Sequence, residues 1–121
     1  MAATGNVNIS VELLGLGKDV SFIDRFTLTN TPTRVNYGYL EQASADTEEA
    51  LELGGVSTVD LIVIKAVTND ATVDTSFDTS YNAELNVPEG EICVFKPSGT
   101  VYIKNGSAGE QVILEYVVIG R

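Results

Sequence analysis

Residues 58–67 read TVDLIVIKAV, a run in which β-branched and long apolar side chains fall on both faces, broken only by Asp60 and Lys65. A strand with one wet face alternates apolar and polar residues, whereas a strand covered on both sides reads as a nearly continuous apolar run. The stretch is therefore expected to be a central strand, with Val59, Leu61, Ile62, Val63 and Ile64 buried on both sides. Toward the N-terminus, Val7, Ile9, Val11 and Leu13 alternate with Asn8, Ser10 and Glu12, a period of two that puts one side of a strand in the core. Residues 20–29 carry Phe22, Phe26 and Leu28 on one face with Asp24 interrupting it, where a bulge or a functional exception is expected. Pro32 breaks the chain before residues 34–40, in which Val35, Tyr37 and Tyr39 alternate again.

Residues 46–54 are ambiguous. Asp46 with Glu49 fits a capping box and Gly54 a helix stop, but Ala50, Leu51 and Leu53 are too few to set a period, so a short strand is expected with a two-turn helix as the alternative. Further β runs lie at residues 73–77, 83–87, 91–95, 101–104 and 112–119, separated by Asn69-Asp70, Pro88 to Gly90, Pro97 to Gly99 and Asn105-Gly106. The expected fold is all-β, an antiparallel β-sandwich of nine or ten short strands. With 121 residues, 44% of them hydrophobic and 20% charged, the chain reads as one folded domain rather than a disordered or two-domain protein. Residues 1–6, small and polar, are expected to form a mobile N-terminal arm, and residues 7–121 a single β-sandwich domain.

Seventeen acids against seven bases, a net charge of -10, argue against a protein that grips nucleic acid or an anionic membrane. Residues 41–91 hold twelve of the acids and a single base, Lys65. This middle is expected to be a solvated acidic face that protects sheet edges, with docking on a basic partner or binding of a hard cation as sharper readings. Asp70, Asp74 and Asp78 are four apart. On a continuous strand they would spread over about 13 Å, too far for one ion, and they would converge on a cation only if the segment loops. The start, MAATGNVNIS, has neither the basic segment nor the apolar run of a secretory signal peptide, so synthesis in a cytoplasm is expected. No apolar run approaches the ~20 residues of a membrane span.

The chain has no histidine, which excludes Ser-His-Asp and Cys-His nucleophiles and leaves His/Cys metal sites without ligands. Gly15-Leu16-Gly17 opens like a dinucleotide loop, but Val20 stands where the third glycine belongs, and Gly17-Lys18 is followed by Asp19 rather than Ser or Thr. A carboxylate pair at glycosidase spacing stays conceivable among seventeen acids. Cys93 lies inside a β run and reads as a buried, reduced thiol. Most of Tyr37, Tyr39, Tyr81, Tyr102 and Tyr116 alternate with apolar residues and are expected in or half in the core, not on a sugar platform. No catalytic, cofactor-binding or metal-ligating set is expected, and the chain reads as no enzyme.

Between Thr47 and Val117 the segments ALELGGVSTVDLIVIKAVTND, VDTSF, VPEGEICVFKP, TVYIKN and EQVILEYVV follow one another. The pattern is a leucine-glycine turn ahead of an apolar strand, a Pro-Glu-Gly-Glu turn opening another, and a tyrosine-containing hairpin closing on a tyrosine-bearing strand. It resembles small β-rich structural proteins of tailed bacteriophages. The resemblance implies a virion component made in the host cytoplasm: a capsid decoration or cement protein with a jelly-roll-like sandwich, bridging major capsid protein subunits as a homotrimer. It carries over no catalytic residues. A receptor- or glycan-binding module of a phage fibre or tail is the alternative, resting on the tyrosines and the sandwich architecture.

Overall fold

The computed structural model describes residues 3–15, 17, 20–43, 47–106 and 109–121. These residues form ten strands and no helix. The chain divides into two compact units, Met1–Thr33 and Arg34–Arg121, a boundary that differs from the expected arm of residues 1–6 and domain of residues 7–121.

The first unit is a hairpin of β1 (Asn6–Leu13) and β2 (Val20–Thr27) in continuous antiparallel register from Asn6 opposite Thr27 to Leu13 opposite Val20. No bulge occurs at Asp24, which sits directly across from Ile9. Asn6, expected in a mobile arm, opens β1, and its Oδ1 accepts from the Thr27 hydroxyl at 2.8 Å. The Leu28 N–H donates to the Gly5 carbonyl at 2.7 Å, and Leu28 and Pro32 close over Gly5 so tightly that a Cβ there would lie 2.6 Å from Leu28 Cδ1. Met1 and Ala2, the start of the expected arm, lie outside the described residues.

The alternation in β1 does mark one face, but that face is not in a core. Ile9, Val11, Leu13, Val20, Phe22 and Phe26 are all exposed. Alternation reports which side chains share a face and not what covers them, and a two-stranded ribbon has no second layer of its own.

The second unit is a β-sandwich. One sheet has the order β3-β10-β5-β8, from Arg34–Gln42, Val112–Gly120, Val59–Thr68 and Ile92–Phe95. The other has the order β4-β9-β6-β7, from Glu49–Ala50, Thr100–Asn105, Ala71–Phe77 and Leu85–Val87. All pairings are antiparallel. Between the sheets lie Ile62, Ile64 and Ala66 of β5 and Val112, Leu114, Tyr116 and Val118 of β10, against Ala71, Val73, Val87, Val101 and Ile103. β5 is the expected central strand, flanked by β10 and β8. On the inner side Ile62 and Ile64 are fully buried; on the outer side Leu61 is buried as expected, whereas Val59 and Val63 are half-buried and Lys65 and Val67 exposed. Residues 46–54 resolve as the two-residue strand β4 followed by a turn at Gly54, whose φ is 62°, with no helix; Asp46 lies outside the described residues.

Two turns lock one end of the sandwich. Asn69 adopts a φ of 61°, which asparagine tolerates better than most residues. Its N–H donates to Glu89 Oε2 at 2.6 Å, while the Glu89 N–H donates to Asp70 Oδ1 at 2.8 Å. The Pro-Glu-Gly-Glu turn thus clasps the Asn69-Asp70 turn, and two of the acids in the charged middle are absorbed in capping main-chain donors. Gln42, fully buried, joins the two sheets: its Oε1 accepts from the Asn105 N–H and its Nε2 donates to the Thr47 carbonyl at 2.9 Å.

Candidate functional site

The outer face of the β3-β10-β5-β8 sheet is the most unusual surface of the sandwich. Register places Tyr37, Val117, Val63 and Val94 in one row across all four strands. On one side of it stands the row Val35, Ile119, Leu61, and on the other Tyr39, Glu115, Lys65, Ile92. An antiparallel sheet with a wet outer face carries polar residues there. Here nine of eleven positions are apolar or aromatic, and Val35 at 67%, Tyr39 at 63% and Ile92 at 61% are open to solvent. Tyr37 and Tyr39, expected in or half in the core, are exposed and meet edge to face at 6.1 Å between centroids. Strand alternation put them on one side of β3, and that side is the outer one. The remaining tyrosines follow the expectation, with Tyr116 buried and Tyr81 and Tyr102 half-buried.

Two charges sit within this face. Glu115 accepts a hydrogen bond from the Tyr37 hydroxyl, and that bond, with the carboxylate charge beside it, holds the phenol well above its ordinary range. Lys65, directly opposite Glu115 in the register, forms no ion pair among the described residues.

The hairpin presents a second apolar face by itself. Its rows are Val7 with Phe26, Ile9 with Asp24, Val11 with Phe22, and Leu13 with Val20. Seven of these eight residues are apolar, and Asp24, whose Oδ1 accepts from the neighbouring Arg25 N–H at 2.8 Å, is the exception. The opposite face carries Asn6, Asn8, Ser10, Glu12, Ser21, Arg25 and Thr27 with a single large apolar residue, Ile23.

The acids singled out for a cation do not converge. Asp70 caps the turn after β5, Asp74 lies within β6 and Asp78 bridges to Ser80 beyond it. No group of three or more possible metal ligands occurs among the described residues. Asp74 is nearly fully buried. Burial pushes its carboxyl up, but the N–H groups of Ser76 at 3.0 Å and Asn82 at 2.9 Å, with Glu84 hydrogen-bonded beside it, outweigh burial and hold it below its usual value. A depressed folded-state pKa stabilises above the unfolded value and is lost as pH falls through the folded one. Asp74→Asn, which turns an amide donor toward one of those N–H groups, is expected to melt several degrees below the parent at neutral pH. That gap should close as pH drops below the ordinary aspartate value of 3.8. Melting curves across the acid range check this, and a gap that stays constant with pH overturns it.

An open groove of about 420 Å3 runs beside Leu51, Leu53, Thr58, Val59, Pro97 and Val101, and no titratable side chain lines it. Cys93 is half-buried on the inner side of β8, and desolvation raises its thiol pKa, as suits an unreactive packing residue. The chemistry on offer is that of adhesion: apolar area with a few charges set in it. No protein-family model matches the chain, and no curated protein or solved structure was found to be similar to it.

Proposed function

We propose that the chain is a non-enzymatic structural protein of a virion, a capsid decoration or cement protein that stabilises a tailed-phage head by bridging major capsid protein subunits as a homotrimer. The observation that carries this reading is the pair of apolar faces left open, one on a hairpin without a core and one on the outside of a sandwich. A lone hairpin is marginal in water, and contiguous exposed apolar patches on a soluble chain mark protein contacts. The strand orders 3-10-5-8 and 4-9-6-7, with most connections crossing between the sheets, support the jelly-roll-like reading, an architecture common in viral capsid domains. The acidic surface disfavours nucleic acid and anionic membrane as partners.

Co-sedimentation with empty shells assembled from the major capsid protein encoded in the same genome tests the role. Saturable binding at a fixed copy number, with shells that resist higher temperature, is the expected result. Shells that pellet without the chain overturn it. The exposed Tyr37–Tyr39 pair beside Glu115 favours the second reading, a glycan- or receptor-binding module of a fibre or tail, since aromatic faces with a carboxylate suit sugar rings. Glycan-array binding lost in Tyr39→Ala would select that reading.

A further inference from the structure

The sandwich has four sheet edges, and they are not alike. β8, β4 and β7 end their sheets with four, two and three residues, whereas β3 ends its sheet with nine. We propose that β3 is a self-complementary edge: β3 of one copy pairs antiparallel with β3 of a second copy across a two-fold axis, joining their two β3-β10-β5-β8 sheets into one continuous sheet.

Register determines which main-chain groups of β3 are left over. The Ala66 N–H donates to the Glu91 carbonyl at 3.2 Å and the Ala66 carbonyl accepts from the Gly90 N–H at 2.8 Å, so the even-numbered residues of β5 bond toward β8. Bonding alternates along an antiparallel ladder. The odd-numbered residues of β5 therefore bond to the odd-numbered residues of β10, whose even-numbered residues bond to β3 at Arg34, Asn36, Gly38, Leu40 and Gln42. Val35, Tyr37, Tyr39 and Glu41 turn their N–H and C=O groups to the outer edge, where no strand among the described residues pairs with them.

Soluble proteins blunt such edges with proline, lysine, a bulge or sheer shortness. β3 has none of these devices: its register with β10 runs unbroken from Arg34 to Gln42, it contains neither proline nor lysine, and residues 35–40 are uncharged. Its two charges have opposite sign and lie at opposite ends, Arg34 and Glu41. Antiparallel self-pairing thus brings unlike charges together at each end, where parallel pairing would gather like ones. Full overlap of the two strands sets Gly38 opposite Gly38 of the second copy and Tyr37 opposite its Tyr39. In that register Val35, Tyr37, Tyr39 and Glu41 face residues of the same set, and the pair exchanges about eight main-chain hydrogen bonds. Tyr37 and Tyr39, both exposed on the outer side, then form aromatic cross-strand pairs with those of the second copy. The contact is isologous and closes at two copies, and the short edge strand β8 at the far side gives the joined sheet little to extend from. It leaves threefold contacts to other surfaces and stands whether or not the chain binds a shell.

Light scattering on the purified full chain at micromolar concentration tests it, with circular dichroism to confirm that each variant is folded. The parent is expected to weigh an even multiple of the 12.9 kDa of one chain. Tyr39→Pro deletes an N–H that faces the edge and none that bonds to β10, the one setting in which a strand tolerates proline, and should halve that mass. Tyr39→Lys keeps every main-chain group but sets like charges near each other across the axis, and should weaken pairing at least about tenfold. Tyr39→Glu alone should do the same, and an equimolar mixture of the two should recover the parent mass. These two variants decide the matter by themselves where the proline chain fails to fold. A parent of one copy or three overturns the proposal and leaves the β3 edge to a strand of another protein. An even mass that ignores the substitutions at residue 39, or a mixture no heavier than its components, places the contact elsewhere and equally overturns it.

Discussion

Ile64→Asp unfolds the sandwich, whereas Val63→Asp, one residue earlier in the same strand, leaves it folded. Ile64 points between the sheets, is fully buried and packs in the cluster that includes Tyr116, the residue opposite it in β10. A carboxylate there has neither a cation nor water, and an uncompensated buried charge belongs to the rare substitutions that cost more than about 4–5 kcal/mol. Residues 34–121 number 88, and a domain of that length holds about 4–13 kcal/mol in all. The loss is therefore of the order of the whole stability. Val63 points outward between Val94 and Val117 and is half-buried. An aspartate there keeps its hydration and forfeits cross-strand contacts and strand propensity worth about 1 kcal/mol, a shift of several degrees in melting temperature. Circular dichroism on heating distinguishes the two. If both variants unfold alike, the outer face is covered within the folded chain, and the open-face description fails.

The same contrast shows how much of the molecule was legible beforehand. Strand content and the centrality of β5 follow from period and length, because a strand's two faces are written alternately into its residues. What an apolar second face means is not written there. In residues 58–67 both faces are apolar, which reads as burial on both sides; the structure buries one side fully and the other only in part, at Leu61, leaving Val59 and Val63 half-buried and Val67 exposed. The hairpin shows the same ambiguity, since Val7, Ile9, Val11 and Leu13 spell a core-facing strand and end on an exposed face. In each case a local pattern marks surface that has to be covered, and the cover need not belong to the same domain. Lys65, the lone base in an acidic stretch, was the visible pointer to the outer face. Gln42 had no comparable signal, because a glutamine closing a strand looks like any polar strand end until the Asn105 N–H is placed opposite it.

Gly120→Ala is the second substitution with a large expected effect, and it acts through backbone rather than charge. A Cβ at residue 120 would lie 2.0 Å from the Thr58 carbonyl oxygen and 2.7 Å from Val56 Cγ1. A carbonyl engaged in main-chain hydrogen bonding cannot swing aside as a side-chain tip can, so the end of β10 has to leave β5. What it leaves is well bonded: the Arg121 N–H donates to the Thr58 carbonyl at 2.9 Å, and the Ser57 and Thr58 N–H groups both donate to the Arg121 carbonyl at 2.9 Å. The Arg121 guanidinium also holds Asp60 at 3.0 Å. Three main-chain hydrogen bonds at about 1 kcal/mol each, with a further contribution from the ion pair whose arginine is partly exposed, put the loss at about 3 kcal/mol or somewhat more. That corresponds to a fall of about 10–20 °C in melting temperature for a unit of this size. Gly38→Ala is the matched control, since its Cβ would meet only the Tyr116 ring tip, at 2.9 Å, and a ring can tilt. Its expected loss is well under half as large. Equal losses at the two glycines would place the cost in the general entropy of a strand glycine and overturn the argument from the Thr58 carbonyl, whereas a deep loss confined to residue 120 would identify the Ser57–Arg121 clasp as the seam that closes the sandwich.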